Sequence, residues 1–132
     1  MKIFDFISGK KDKESSGNQG VPEWIPLEDI GQLQSLKEIS ENTPVIIFKH
    51  STRCGISAMV KNRFERDFDF PVGELQCYFL DIIRNRDISN TIASEFGIPH
   101  ESPQLLLIKK SSAIYDASHG GISVKAIHKV LD

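Results

Sequence analysis

Residues 45–64 read "VIIFKHSTRCGISAMVKNRF". Val45 to Phe48 is an apolar run without alternation, the pattern of a strand covered on both faces, as in the middle of a parallel sheet. A short polar turn follows. Ile56, Val60 and Phe64 then recur at intervals of four, which predicts a helix beginning close to Cys54. A lone cysteine therefore stands where a strand hands over to a helix. Three residues later comes Ser57, at the position where a dithiol site would carry its second cysteine.

That placement has chemical consequences. Thiol–disulfide exchange needs an accessible thiolate. A helix N-terminus offers free amide donors and the positive end of a dipole, and both favour the anion. Arg53 adds positive charge beside Cys54. Ser57 lies one helical turn on, close enough to donate a hydrogen bond to a thiolate, but it cannot form a disulfide. A Cys-x-x-Cys site resolves its own mixed disulfide, whereas Cys-x-x-Ser must wait for an external thiol. His50 and His100 flank the same region as candidate proton donors.

Working outward, Leu27, Ile30, Leu33, Leu36 and Ile39 predict a helix ended by Asn42-Thr43-Pro44. Leu75 to Ile82 reads as the second strand. Ile88, Ile92 and Phe96 predict another helix, with Asp87 as N-cap and Gly97 as stop. A third strand starts after Pro103, a Ser111-Ser112 turn leads into an antiparallel fourth, and Val124, Ile127 and Leu131 mark a last helix. Gly120-Gly121 before that helix is open to two readings: backbone amides that bind a small ligand, or a plain loop ahead of a Ser123 N-cap. The expected architecture is α/β, a four-stranded mixed sheet with helices on both faces and a parallel crossover at its start.

Cys77 falls near the start of the second strand, four or five residues back from the sheet end that carries Cys54. At strand rise this is about 13–17 Å, too far for a bond that needs Cα atoms within about 7 Å. Cys77 is thus expected in the core. Two cysteines are also too few for a disulfide scaffold or a four-cysteine zinc site. With no Cys/His pairs at zinc spacing, no metal is expected.

The 132 residues suit one domain, and 39% hydrophobic with 26% charged residues is ordinary globular composition. A net charge of −2 gives no global pull toward nucleic acid or anionic membrane. Locally, Lys49, Arg53, Lys61, Arg63 and Arg66 make the cysteine segment basic. Residues 1–20 are polar after a short apolar start (Ile3, Phe4, Phe6, Ile7) and read as a tail, with the domain spanning 21–132. No run is long enough to span a membrane and no signal peptide is evident, so a reducing cytoplasmic location is expected.

With this element order, a cysteine at the junction and Ser102-Pro103 before the third strand, residues 21–132 resemble the thioredoxin fold. More narrowly, "FKHSTRC" (48–54) with Ile56-Ser57, "SPQLLLIK" (102–109) and "YDASH" (115–119) resemble the monothiol bacilliredoxin family. The resemblance implies an oxidoreductase that removes bacillithiol, a low-molecular-weight thiol, from mixed disulfides on partner proteins; a monomer is expected. It implies a cis Pro103 facing Cys54, with Ser102 and Pro103 guiding substrate and Gly120 helping to bind the small thiol. One departure stands out: the family carries proline after the cysteine, and this chain has Gly55, which keeps close backbone approach open but loosens the first helical turn. The rival reading from another class is a redox-silent thioredoxin-fold interaction protein. Nothing specific supports a third, an oxyanion reductase.

Overall fold

The computed structural model describes residues 22–132. The expected tail, residues 1–20, and the expected domain start at Val21 lie outside the described residues.

The chain forms β1 (Trp24–Pro26), α1 (Gly31–Ile39), β2 (Val45–His50), α2 (Gly55–Asp67), β3 (Gln76–Asp81), α3 (Arg86–Phe96), β4 (Gln104–Lys109), β5 (Ser112–Ser118), a 3-10 turn at His119–Gly121 and α4 (Val124–Leu131). The strands order as β1-β3-β2-β4-β5. β1 and β2 both run parallel to β3, while β4 is antiparallel to β2 and to β5.

The expected four-stranded sheet thus has a fifth member. β1 is only three residues long and ends in Pro26, too short and too proline-flanked to show a period. It is held by Trp24, whose ring packs against Phe48, Phe64 and Phe79 and whose indole N–H donates to Glu65 Oε2 at 2.6 Å. The first helix also differs: it begins at Gly31, so Leu27 is buried ahead of it, and Ile30 at the cap is 44% exposed. The α3 N-cap is Asn85, with Asp87 inside the first turn, while Gly97 ends the helix in the left-handed region (φ 68°) as expected.

Alternation along the central strands separates two cores. Val45, Ile47, Tyr78, Leu80, Leu106 and Ile108 face α1 and α3 and pack with Leu33, Leu36, Ile88 and Ile92. Ile46, Phe48, Cys77, Leu105 and Leu107 face α2 and α4 and pack with Val60, Phe64, Val124 and Ile127. All six residues of β2 are buried, the burial expected of a central strand.

The β4–β5 hairpin turns at Lys110 and Ser111, one residue before the expected Ser111-Ser112. Both are left-handed (φ 53° and 66°), the geometry a two-residue hairpin requires and one that non-glycine residues rarely take. Polar contacts with the end of α1 hold it. Lys110 N–H donates to Ser40 O at 2.8 Å, Ser111 N–H to Ser40 Oγ at 2.9 Å, and Ser111 Oγ to Glu41 Oε2 at 2.8 Å. β5 shifts register between Leu107 and Ile108 of its partner, leaving Ile114 as the extra residue.

Candidate active site

Cys54 is the N-cap of α2, with extended backbone (φ −114°, ψ 118°). Its carbonyl takes the first intrahelical bond, from Ala58 N–H at 3.2 Å. The amides of Gly55, Ile56 and Ser57 precede that bond and have no intrahelical acceptor. Cys54 is partly exposed and its side chain forms no capping bond. Arg53 and Gly55 beside it are exposed. A helix N-terminus with free amides thus ends at a reachable sulfur, the setting in which thiolate chemistry is favoured.

Ser57 is in the first turn of α2 but wholly buried. Its hydroxyl accepts the Ser51 N–H at 3.2 Å and lies 2.8 Å from His50 Nδ1. Among the described residues it makes no hydrogen bond to Cys54, the role the sequence spacing assigns to it. His50 ends β2 at 7% exposure, with its ring against Phe79. Burial first, and then the charge of Lys61, push its pKa below the ordinary value, against Asp81 and Glu65, which raise it. The ring is therefore neutral at pH 7.

The other candidate histidine goes elsewhere. His100 Nδ1 lies 3.3 Å from Lys49 Nζ and 3.0 Å from Ser89 Oγ. Lys49 has no exposed surface, and burial lowers its pKa to about 8. It precedes His50 in β2, so by alternation it points to the opposite sheet face from the Ser57 partner.

The Ser102–Pro103 peptide is cis, Pro103 is buried, and Ser102 Oγ is buried without a hydrogen-bond partner among the described residues. Gln104 organises the approach to it, donating to Pro99 O at 3.0 Å and accepting Glu101 N–H at 3.3 Å. Pro103 O accepts His119 N–H at 3.0 Å, tying the Gly120 turn to this loop. Arg63 of α2 fastens the turn from the other side, donating to Gly120 O at 3.2 Å and Ile122 O at 2.8 Å. Ser123 caps α4 by accepting Ala126 N–H at 3.1 Å.

Cys77 pairs with Trp24 and Ile46 in the sheet and is 4% exposed. Burial pushes its thiol up to about 12. In the native protein, iodoacetamide is expected to label Cys54 and leave Cys77 unlabelled until denaturant is added, as peptide mass spectrometry would show.

Spacing alone did not single out Ser51, Lys49 or Arg63. Ser51 carried a signal, a hydroxyl in a tight polar turn. Lys49 carried another, a charge prolonging an apolar run. Arg63 acts across 57 residues on Gly120 and has no local signature. At Gly55, an added Cβ would meet nothing within 4 Å. Gly55→Ala is therefore expected to raise stability by about 0.5–1 kcal/mol in urea unfolding, because it restricts the unfolded chain.

A lone, partly exposed cysteine capping a helix that follows a central strand, with cis Ser102–Pro103 at the start of the antiparallel strand, defines a thioredoxin-fold redox protein. Solved structures agree on the fold. One thioredoxin-fold chain is 28% identical with a TM-score of 0.71, over 83% of this chain and 94% of that one. A thioredoxin of Malassezia sympodialis is 20% identical with a TM-score of 0.62, over 86% and 91%. Spinach chloroplast thioredoxin F is 14% identical with a TM-score of 0.61, over 84% and 93%. The family model described as monothiol bacilliredoxin BrxC matches residues 25–127, and the chain belongs to that family. Among the described residues, no helix is long and apolar enough to cross a membrane, and no group of three or more His, Cys, Asp or Glu is placed to hold a metal ion.

Proposed function

We propose that this protein is a cytoplasmic monothiol oxidoreductase that removes a low-molecular-weight thiol, bacillithiol by family, from mixed disulfides on other proteins. The observation that carries the reading is the pairing of one reachable thiol, Cys54 at the α2 N-terminus, with a second thiol sequestered in the sheet, Cys77.

The Cys54 thiolate attacks the small-thiol sulfur of a protein–S–S–R disulfide. A Cys54–S–S–R bond forms, and the partner protein leaves as its thiolate and takes up a proton. Ser57 offers no sulfur at the next position, so a second RSH, as thiolate, attacks Cys54–S–S–R. It forms RSSR and returns Cys54 as thiolate. The two electrons that reduce the partner protein come from RSH. Ser102, Pro103 and the backbone of Gly55 guide the substrate, Gly120 contributes to holding the small thiol, and Arg53 supports the anion.

Incubation with a bacillithiol-capped model protein, followed by intact-mass analysis, tests this. The expected product is a one-to-one bacillithiol adduct on Cys54 that a second equivalent of bacillithiol discharges. An adduct on Cys77, or a Cys54–Cys77 disulfide, rejects the monothiol cycle. No adduct at all returns the protein to the class of redox-silent thioredoxin-fold interaction proteins.

A further inference from the structure

The Ser57 oxygen joins three pieces of chain: the end of β2 through His50, the turn through Ser51, and α2 itself. Ser51 is the hub of the turn. Its N–H goes to Ser57, its carbonyl accepts Cys54 N–H at 3.2 Å, and its hydroxyl accepts Arg53 N–H at 3.4 Å. A continuous set of hydrogen bonds therefore runs from the His50 ring to the backbone of Cys54. The ring is fixed in turn, 7% exposed and with its centroid 5.3 Å from that of Phe79.

A hydroxyl has one proton to give. Ser57 Oγ receives the Ser51 N–H, and its neighbour at 2.8 Å is the Nδ1 of a ring that is neutral at pH 7. With the ring in its Nε2–H tautomer the Ser57 proton goes to that nitrogen, and among the described residues Ser57 Oγ makes no hydrogen bond to Cys54. Lys61, Asp81 and Glu65 are the charged groups that act on the ring. Gly55 supplies the need for such a brace, because a glycine at the first helical position restrains the backbone least.

We propose that His50 is a positioning residue of the Cys54 site: by holding the Ser57 hydroxyl it locks the turn 51–54, and Ser57 serves as a brace instead of a donor to the thiolate. This deepens the exchange function proposed above and rests on it for the rate of exchange. The brace itself is readable without any co-substrate.

The test measures iodoacetamide labelling of Cys54 against pH, alongside kcat and KM for release of bacillithiol from a capped protein, in the full chain. Ser57→Ala and His50→Phe are each expected to slow exchange by about tenfold to a hundredfold, mainly in kcat, because small misplacements of a reacting atom carry costs of that order. Both are expected to alter the labelling profile. His50→Asn, whose amide reaches the Nδ1 position and does not titrate, is expected to restore the neutral-pH labelling rate and kcat. The His50→Phe/Ser57→Ala double variant is expected to match Ser57→Ala alone, since both break one set of bonds. The proposal is overturned if His50→Phe slows labelling by the same factor with and without Ser57. It is equally overturned if the folded Ser57→Ala protein labels and exchanges like wild type. If the labelling pattern holds but wild type releases no bacillithiol, the exchange function fails and the brace stands.

Discussion

Cys54→Ala is expected to lower the rate of bacillithiol release from a capped protein by at least about a thousandfold, because the covalent step has no other nucleophile. Cys77 cannot substitute. It is 4% exposed, sits in the sheet opposite Ile46, and has a thiol that burial keeps protonated up to about pH 12. Cys77→Ala is accordingly expected to exchange at the wild-type rate while losing some core packing. The measurement is release of the cap under second-order conditions, with thermal melts confirming that both variants are folded. Equal rates for Cys54→Ala and wild type would remove Cys54 from the chemistry altogether.

The second large effect is on stability, at Lys49. Its ammonium is fully buried, and among the described residues its hydrogen-bond partner is a histidine nitrogen at 3.3 Å, with no carboxylate in salt-bridge reach. Taking a charge out of water without an opposite charge is costly, and well-packed apolar replacements of buried ions stabilise by about 1–4 kcal/mol. Lys49→Met is therefore expected to raise the unfolding free energy at pH 7 by about 2 kcal/mol. The same burial sets a pH dependence. Lys49 loses its proton near pH 8 when folded, against 10.5 for the unfolded reference. Between those values the unfolded chain binds more protons, so wild-type stability rises with pH, by up to about 3 kcal/mol over the window. Below pH 8 both states are protonated and the destabilisation is fully present. Urea unfolding at pH 7 and pH 10 should show the rise in wild type and its absence in Lys49→Met. A Lys49→Met protein less stable than wild type at pH 7 would refute this.

The parts of the fold visible in the sequence were those written in one local pattern, an unbroken apolar run or a helical period. Val45–Phe48, the Ile56/Val60/Phe64 face and the Val124/Ile127 face each identify an element without help from elsewhere. The strand-to-helix junction at Cys54 follows from the first two. What stayed hidden depends on contacts between distant residues. Trp24–Pro26 is a strand only because β3 is beside it and Trp24 reaches Glu65 across 41 residues. Ile30 matched the spacing of the buried face, yet it stands at the cap of α1 and is exposed. Within the site, spacing identified Cys54 and Ser57 as neighbours but not the partners of the Ser57 hydroxyl. One of them, His50, is seven residues earlier in a different element. Lys49 extends an apolar run as a charged residue, and its burial becomes legible only once His100, itself bonded to Ser89, is placed beside it.

The two outer strands carry a further consequence. β1 offers three residues ending in a proline that has no N–H to donate, and β5 is interrupted by the extra residue Ile114. Unpaired strand edges invite other chains to add a ladder, and short, proline-bearing or bulged edges discourage it. Among the described residues each outer strand carries one of these features, the short proline-ended β1 and the bulged β5, so addition of a further strand at either flank is disfavoured.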